Sequence, residues 1–419
     1  MRKPETIERL YLDFDGFFAS VMQQAYPELR GKPVGIIPFE LKGHQLNSTV
    51  VIACSKEAKA RGCSNVMRVP EALSICPELK LVTQRPDLFR RAHNALLAEI
   101  SCAIPIETIK SIDELCCVLD AKDARHPEAL AKTIKKRIAE NIGPHITCSI
   151  GFAANRLLAK QACKIDKPNG VTIWRPQHMP TPLLKVPLSD VSGIGSKLEA
   201  RLQRAKIFTM EDLLNTQPKQ LRQLWGNVNG ERMWYALNGY EIYAMPTSRG
   251  MFGHGRVLPP KHRTVDSART YSRLLLTKAA RRMRRDKYYA GKLWLWLGIK
   301  DGTWFGEQGL HSANDDHACL SALNALWARV RNECRPNIQI VRIGVTLADI
   351  KPASTRQLDF FVNDDQERQG WEKLTSAIDF LNHKFGKRMV TIGPWVEPPG
   401  GYAGGKISYT RIPTAEDFW

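Results

Sequence analysis

The sequence lacks any long hydrophobic run. No stretch of its 419 residues contains 18 consecutive apolar residues, whereas a membrane-spanning helix needs about 20. The first ten residues, MRKPETIERL, also lack the apolar segment of a secretory signal. The sequence therefore predicts no membrane partner and a cytoplasmic location.

Cysteine pairs with metal-binding spacing are also absent. Ten cysteines occur, but none belongs to a CxxC pair, and most have apolar neighbours. Structural zinc sites and disulfide frameworks are usually built from cysteines at recurrent spacings. We therefore expect reduced, buried thiols that pack as small hydrophobic side chains.

Acidic residues are outnumbered by basic ones. There are 42 Asp and Glu against 61 Lys and Arg, a formal net charge of +19. The excess is concentrated between residues 256 and 292, which contain twelve Lys or Arg and two Asp. Such an excess favours a polyanionic partner. Because no basic amphipathic helix with an aromatic apolar face is evident, a nucleic acid is a better candidate than an anionic lipid surface.

The order of predicted elements divides the chain into several parts. Strands and helices alternate over residues 1–175, which predicts an α+β sheet domain. Residues 176–244 have the pattern of short helices, and 245–255 are rich in Gly, Ser and Pro, as in a linker. Helix and strand alternate again over 256–352, and 353–419 is interpreted as a tail. The chain is therefore predicted to be an α+β, multidomain protein.

Acidic side chains stand among apolar residues at two places. Asp13 and Asp15 lie in the run YLDFDGFF, and Asp113 and Glu114 lie in SIDE. An acid at an apolar strand end needs a compensating charge, which is either a metal ion or a buried Lys or Arg. Two Mg²⁺ ions about 4 Å apart, held by such carboxylates, activate an attacking hydroxyl and stabilise a leaving pyrophosphate. The other interpretation is that these acids are solvated or cap strand and helix ends.

Four motifs occur in a recognisable order. They are YLDFDGFFASV, SIDE, SIGFAANRLLAKQACKIDKPNG and VSGIGSKLEARL. Together they resemble the Y-family translesion DNA polymerases, and the core resembles the DNA polymerase IV branch. The resemblance implies a right-hand architecture, with palm and fingers in 1–175 (fingers about 25–84), a helical thumb in 176–244 and a little finger in 256–352. It also implies error-prone, template-directed nucleotidyl transfer in DNA damage tolerance, by a protein associated with the nucleoid.

The resemblance implies a set of metal ligands. They are Asp13, the main-chain carbonyl of Phe14, Asp113 and Glu114, which would hold two Mg²⁺ ions, with Mn²⁺ as a substitute. Asp113 and Glu114 are the catalytic pair. Asp15 is not a principal ligand, and we interpret it as the N-cap of the following helix.

The nucleotide site implied by the resemblance is partly altered. Phe18 matches the steric gate that excludes a 2′ hydroxyl, Phe17 is a packing residue or a wall beside the sugar, and Lys167 in DKPNG reaches the triphosphate. Lys56 and Lys59 stand where many relatives have Tyr and Arg. They keep positive charge but lack the planar fork for bidentate phosphate binding. Solvated helix lysines are the alternative interpretation, and Arg61 is a possible substitute.

Two regions are expected to hold DNA. In VSGIGSKLEARL, a helix-hairpin-helix pattern, Gly193 and Gly195 permit a tight turn, the following amides can bind a phosphate, and Lys197 adds charge. The basic block of the little finger is expected to position the duplex through its phosphates, although such blocks are also found as solvated faces. Its predicted contacts are Arg281, Arg282, Arg284 and Arg285.

The segment QLDFF (357–361) resembles the sliding-clamp-binding peptide of bacterial polymerases. Leu358, Phe360 and Phe361 are expected to enter an apolar pocket, with Gln357 at its rim. An edge strand of the little finger is the alternative. The rest of the tail resembles that of DNA polymerase V catalytic subunits, which implies an accessory protein. The expected partners are thus primer-template DNA, deoxynucleoside triphosphates, a sliding clamp and this accessory protein.

A rival function belongs to a different class. Some proteins with this fold are catalytically silent, clamp- and DNA-binding accessory proteins, and they characteristically lack the metal carboxylates. Asp13, Asp113 and Glu114 are all present here, which favours an enzyme, while the altered fingers residues keep the rival open. A generic basic nucleic-acid binder would leave the order of the four motifs unexplained.

Overall fold

The structure is a computed structural model that describes residues 1–38, 49–243, 248–355, 365–393, 412 and 414. The described chain packs as two compact units. The first contains residues 1–243 and Ile412, and the second contains residues 248–393 and Thr414. Each unit mixes helices and strands, so the predicted α+β, multidomain organisation is confirmed.

The first unit begins with a strand, and helices and strands then alternate up to residue 173. In chain order its elements are β1 (Arg9–Phe14), α1 (Phe17–Ala25), β2 (Val34–Ile37), β3 (Val50–Val51), β4 (Ala53–Cys54), α2 (Lys56–Ala60), β5 (Met67–Arg68), α3 (Val69–Ile75), β6 (Lys80–Thr83), α4 (Pro86–Ser101), β7 (Thr108–Ile109), β8 (Glu114–Val118), α5 (Ala121–Arg125), α6 (Pro127–Asn141), β9 (Cys148–Ala153), α7 (Arg156–Ile165), β10 (Val171–Ile173), α8 (Ser196–Arg204), α9 (Met210–Leu214), α10 (Pro218–Trp225) and α11 (Val228–Leu237).

Strand β1 lies in the middle of a five-stranded sheet with the order β10-β9-β1-β8-β7. It pairs antiparallel with both β8 and β9, and β10 runs parallel to β9. Leu10 and Leu12 pack in the core with α4 and α6, whereas Tyr11 packs with residues of α7, as the two-residue period of a strand requires. Helix α7 approaches β9 so closely that a Cβ on Gly151 would lie 2.1 Å from the carbonyl oxygen of Ala159. The central strand is thus covered on both faces.

Strands β2 to β6 form two small sheets, in the range predicted for the fingers. One has the order β4-β2-β6, and the other pairs β3 with β5. Val51, Val69 and Leu79 belong to a small core of this region. Val34, Ile36 and Ala53 pack instead in the core of the central sheet, so the two sets of sheets are in contact.

Short helices follow the sheet, as the sequence predicted. Three of them, α8, α9 and α10, are confirmed at their expected positions, while α11 was not predicted. Helix α9 starts with a capping box, in which the Thr209 hydroxyl and the Asp212 carboxylate bond each other's main-chain N–H. The helices pack on Leu202, Leu213 and Leu221, which are fully buried.

The second unit is a four-stranded sheet with helices on one face. Its strand order is β11-β14-β12-β13, with antiparallel pairing throughout. Leu293, Leu295 and Leu297 of the central strand point into a core shared with the two helices that cover the sheet. In chain order the elements are β11 (Phe252–Val257), α12 (Val265–Arg285), β12 (Tyr288–Ile299), β13 (Gly302–Ala313), α13 (Asp316–Glu333), β14 (Ile340–Pro352) and α14 (Asp365–Phe385).

Two boundaries differ from the predictions for this unit. The predicted linker 245–255 includes the first residues of β11, where Phe252 is buried in the core. The predicted tail includes α14, whose Thr375 and Ile378 are buried. The composition of these segments did not show that they have partners elsewhere in the unit.

The cysteines of the described chain are mostly buried. All ten cysteines are free thiols, and eight are buried as predicted, but Cys102 is exposed and Cys334 is half-buried. In the ranges that the structure describes, no helix combines the length and apolar character needed to cross a bilayer. The cysteines therefore pack mainly as small hydrophobic side chains.

Candidate active site

Strand register brings the three predicted metal ligands to one end of the central sheet. Asp13, near the end of β1, lies directly opposite Glu114, the first residue of β8. The main-chain N–H of Phe14 donates to the carbonyl of Asp113, with 2.8 Å between N and O. Directly opposed residues of an antiparallel pair face the same side of the sheet. We call Asp13, Asp113 and Glu114 the acidic sheet end.

Lysine ammonium groups contact two of these carboxylates. Nζ of Lys167 lies 2.5 Å from Oδ1 of Asp13, and Nζ of Lys160 lies 2.7 Å from Oε1 of Glu114. The hydroxyl of Tyr11 donates to the other carboxylate oxygen of Glu114 at 3.0 Å. Of the two kinds of compensating charge that the sequence left open, the structure shows lysine at these two positions.

The three carboxylates differ in their electrostatic surroundings. Burial raises the pKa of Asp13 to about 6. Burial also raises the pKa of Asp113, whose carboxylate accepts a hydrogen bond from the Ser111 hydroxyl at 2.5 Å. Burial disfavours the charged form of Glu114 as well, but its lysine partner outweighs this effect and the pKa is lowered. Three carboxylates with two ammonium groups leave the site short of positive charge.

The donor atoms of the acidic sheet end suit a hard divalent cation. Carboxylate oxygens are ligands that Mg²⁺ prefers, and burial, which raises the pKa of Asp13 and Asp113, disfavours their charged forms unless a cation lies close to them. Among the residues that the structure describes, no three His, Cys, Asp or Glu side chains form a ready-made metal cluster. The residues thus fit a divalent cation in chemistry and charge, with Asp13 and Glu114 each in contact with a lysine in this structure.

Asp15 does not cap helix α1, which corrects the prediction. Gly16 stands at the cap position with φ +54°, and no side chain caps the helix. The buried carboxylate of Asp15 instead accepts hydrogen bonds from the hydroxyls of Thr147 and Ser149 and from the main-chain N–H of Asn169. The left-handed backbone at Gly16 is one that glycine adopts readily, and it starts the helix without help from Asp15.

Phe17 and Phe18 occupy different environments. The ring of Phe17 is 2% exposed and packs between Phe14 and Phe89, with centroids 5.9 and 6.4 Å away. Of the two roles predicted for Phe17, packing or a wall beside the sugar, its burial favours packing, because a buried ring offers little surface to a ligand. Phe18 is half-buried and meets Phe89 edge to face at 4.9 Å, so its ring is supported while part of it stays accessible.

The two predicted phosphate-binding lysines of the fingers lie on one short helix. Lys56 and Lys59 are both exposed on α2, which is capped by the Ser55 hydroxyl. Arg61 follows the helix and forms an ion pair of 2.7 Å with Glu78. The positive charge expected in this region is therefore present at Lys56 and Lys59, while Arg61 has an acidic partner.

The predicted hairpin has one regular helix rather than two. A three-residue 3₁₀ turn, Leu188–Asp190, precedes it, and α8 follows it. Gly193 has φ +104°, a left-handed backbone that favours glycine, and a Cβ there would lie 2.8 Å from the flexible end of Met233. Gly195 caps α8, and Lys197 is exposed in its first turn. The free main-chain N–H groups at this helix start can bind an anion.

Helix α12 of the second unit does not present all of its arginines to solvent. Arg284 pairs with Asp316 of α13 at 2.8 Å and with Asp379 of α14 at 2.6 Å, and only 9% of its side chain is exposed. Arg281 is 13% exposed and lies 3.4 Å from the same Asp379. The predicted DNA contacts of Arg281 and Arg284 are therefore wrong, because these guanidinium groups connect helices inside the unit.

Arg282 and Arg285, on the same helix, have other partners. Arg282 donates to the main-chain carbonyl of Gly253 at 2.7 Å. Arg285 is 42% exposed and lies 3.2 Å from its neighbour Asp286. Their position nearer the surface keeps the predicted phosphate contacts sterically feasible.

The predicted clamp-binding residues Gln357, Leu358, Phe360 and Phe361 lie outside the residues that the structure describes. The last described residue before them is Thr355, and helix α14 begins at Asp365. The clamp contact therefore stays a prediction from the sequence.

Two side chains at the acidic sheet end, Tyr11 and Lys160, were not predicted from the sequence. Tyr11 stands two residues before Asp13 in β1, so the strand period alone places both on one face. Lys160 lies on α7 and contacts Tyr11 as well as Glu114. No local pattern predicts that contact, because it depends on how α7 packs across the sheet.

Solved structures define the class of this fold. The chain aligns over 82% of its length with 99% of the Y-family DNA polymerase chimera Dbh-Dpo4(243-245)-Dbh, with a TM-score of 0.66 and 24% sequence identity. A post-insertion binary complex of Dbh DNA polymerase aligns with the same coverage and identity at a TM-score of 0.55. The fold is that of the Y-family polymerases.

Sequence comparisons agree with the fold. Residues 12–164 match the impB/mucB/samB family, and residues 249–360 match the C-terminal domain of that family. The DNA polymerase IV of Moorella thermoacetica is 30% identical over 392 residues, which cover 91% of this chain and 94% of the relative. The DNA polymerase IV of Oceanobacillus iheyensis is 29% identical, with 91% and 90% covered. The chain belongs to the Y-family of DNA polymerases.

Proposed function

We propose that this chain extends a DNA primer on a template by two-metal nucleotidyl transfer, and that it does so with low fidelity past damaged bases. The observation that carries the proposal is the register that sets Asp13 opposite Glu114, with Asp113 bonded to the same strand end. Support also comes from the relatives, which are named DNA polymerase IV over nearly the full length of the chain.

The acidic sheet end would hold the metal ions. Asp13, Asp113 and Glu114 supply carboxylate oxygens, and the main-chain carbonyl of Phe14 is the fourth proposed donor. Two Mg²⁺ ions, or Mn²⁺ as a substitute, would activate the primer hydroxyl and stabilise the leaving pyrophosphate. The deficit of positive charge at Asp13 and Asp113 supports this assignment.

Lys167 would move from the carboxylate to the substrate. Its ammonium group now contacts Asp13, and a metal at Asp13 would repel it. A triphosphate beside that metal offers the displaced ammonium new anionic oxygens. Lys56 and Lys59, exposed on α2, would add positive charge for the same phosphates.

Phe18 would select the sugar. Its ring is supported by Phe89 and by the buried Phe17, so it cannot easily turn away from a ligand. A rigid aromatic wall leaves no room for a 2′ hydroxyl and offers it no hydrogen bond. Deoxynucleotides are therefore the proposed substrates.

Contacts to DNA would be independent of sequence. The N–H groups at the start of α8, with Lys197, and the arginines Arg282 and Arg285 are the groups proposed to bind phosphates. The sliding clamp is proposed to bind Gln357, Leu358, Phe360 and Phe361, and the similarity of the tail to polymerase V supports an accessory protein. The silent accessory function is disfavoured, because all three carboxylates are present at one sheet end.

Primer extension tests the proposal. The wild-type chain is incubated with a primed template, one deoxynucleotide and Mg²⁺, and the variant Asp113→Ala is measured beside it. We expect Mg²⁺-dependent extension by the wild type and a loss of at least about a thousandfold in the variant, with DNA binding retained. The matched control is Asp123→Ala, since Asp123 lies on the short helix α5 and carries no assigned role. Equal extension by wild type and Asp113→Ala would rule out the assigned site.

A further inference from the structure

Asp15 is a buried carboxylate that the proposed chemistry does not use. Its side chain and backbone are held at several points. Oδ1 accepts from the Ser149 hydroxyl at 2.8 Å, and Oδ2 accepts from the Thr147 hydroxyl at 3.0 Å and the Asn169 N–H at 2.8 Å. Its own N–H donates to the carbonyl of Thr147, and its carbonyl accepts from the Ser20 hydroxyl. Asp15 is therefore fixed in position and accepts from three donors at once.

The bond to Asn169 connects Asp15 with the turn that carries Lys167. Asn169 has φ +61°, a left-handed conformation that asparagine adopts more readily than most non-glycine residues. Lys135 holds the same turn from another element by donating to the carbonyls of Asn169 and Gly170. Asp15 thus accepts from a main-chain N–H of the turn, and Lys135 donates to two of its main-chain carbonyls.

Asp13 and Asp15 of the motif YLDFDGFF contact the same turn, at its side chain and at its main chain respectively. Asp13 contacts the side chain of Lys167, and Asp15 contacts the main chain two residues later. A hydrogen bond from a main-chain N–H to a buried carboxylate is among the stronger ones in proteins, because one partner is charged. Losing it would let the turn shift, and the ammonium of Lys167 would shift with it.

We propose that Asp15 is a positioning residue for nucleotide binding, which acts by fixing the turn that aims Lys167 at the triphosphate. The inference rests on the proposed function, since it takes the triphosphate as the ligand of Lys167. A purely structural role for Asp15 predicts something different. It would lower stability without making the effect of Asp15 depend on Lys167.

A double-mutant cycle separates these possibilities. Single-nucleotide incorporation under pre-steady-state conditions gives the apparent nucleotide Kd and the maximal rate for wild type, Asp15→Ala, Lys167→Met and the double variant. We expect Asp15→Ala to raise the nucleotide Kd about tenfold, and to change it less than about twofold when Lys167 is already Met. An equal rise in both backgrounds, or a change confined to the maximal rate, overturns the proposal.

Two further variants distinguish a loss of positioning from a folding defect. Ser149→Ala removes a donor to Oδ1 and leaves the oxygen that binds Asn169, so its nucleotide Kd should stay within about twofold of wild type. If Asp15→Ala does not fold, Asp15→Asn, which keeps the shape and loses the charge, is put through the same cycle and judged by the same criterion. Hydrogen exchange of the Asn169 amide gives a readout without activity, and it should be faster in Asp15→Asn than in Ser149→Ala.

The same experiments distinguish failure of this inference from failure of the proposed function. A wild-type chain without Mg²⁺-dependent incorporation, or an Asp113→Ala variant that keeps it, refutes the function. An active wild type whose Asp15 and Lys167 effects are independent refutes only the positioning role. Unchanged exchange at Asn169 in Asp15→Asn also counts against the positioning role, because the turn would then not depend on that carboxylate.

Discussion

Arg284 and Asp379, 95 residues apart, form a two-point ion pair inside the second unit. Nε and Nη2 of Arg284 donate to the two carboxylate oxygens at 2.6 and 3.0 Å. Its Nη1 donates to Asp316 and to the carbonyl of Asn314, both at 2.8 Å. The pair attaches α14 to α12 and α13, and α14 begins after residue 360, where the match to the family's C-terminal domain ends. This helix is therefore an integral part of the unit.

Removing the acidic partner should destabilise that unit. Asp379→Ala leaves a buried guanidinium with unsatisfied donors, and we expect the free energy of unfolding to fall by about 3 kcal/mol. Urea unfolding followed by tryptophan fluorescence measures the change. Glu307→Ala is the control, since Glu307 makes an exposed pair with Lys292 at 3.5 Å and should cost less than about 1 kcal/mol. Equal effects of the two variants would show that α14 is not anchored by this pair.

Shortening the proposed sugar gate should relax sugar selection. With Phe18→Ala, we expect ribonucleotide incorporation relative to deoxynucleotide incorporation to rise about 10- to 100-fold, because the wall against the 2′ hydroxyl is gone. Kinetics of single-nucleotide incorporation with both sugars give the ratio. Phe208→Ala removes a ring of the same size that is 64% exposed, and it should leave the ratio unchanged. Unaltered discrimination by Phe18→Ala would refute the gate.

The stability of the first unit should depend on the protonation of His93. This imidazole is 2% exposed, its Nδ1 lies 2.7 Å from the carbonyl oxygen of Ile112, and burial lowers its pKa. The unfolded chain, with an ordinary histidine pKa of about 6.5, therefore binds the proton more readily than the folded chain. The stabilising contribution is complete above about pH 6.5 and is lost as the pH falls toward the folded-state pKa.

Thermal unfolding at about pH 7.5 and about pH 5.5 tests this dependence. We expect His93→Gln to lose less stability than wild type on acidification. The comparison cancels groups common to both proteins, including Asp13, whose raised pKa acts in the opposite direction. His178→Gln replaces an exposed histidine of the same unit and should follow wild type. A His93→Gln variant with the full wild-type acid sensitivity would contradict the assignment.

The segment QLDFF (357–361) should affect DNA synthesis stimulated by the sliding clamp and leave basal DNA synthesis unchanged. Replacing Phe360 and Phe361 by Ala removes the apolar anchors, so we expect synthesis in the presence of the sliding clamp to fall to the level measured without it. Primer extension with and without clamp measures both quantities. Asp359→Ala, between the anchors and Leu358, is the control. Loss of basal activity in the double variant would indicate a folding role for the segment.

The helices and strands near the acidic sheet end were predictable because their patterns are local. The run RLYLDF predicted a strand, which is β1, and the short helices predicted within residues 198–226 were found where expected. Asp15 was misassigned for the same reason. An aspartate before a helix is a common N-cap, and its actual partners, Thr147 and Asn169, lie 132 and 154 residues away.

By itself, the sequence determined which chemical groups the protein has and which local elements they stand on, because side-chain type and periodicity act over a few residues. Tertiary structure decided which charges meet. The fold places Lys167 in contact with Asp13, and it buries Arg284 beside Asp379. The physical reason is that hydrogen bonds and close ion pairs depend on separations of a few ångströms, and those separations are set by the packing of segments far apart in the chain.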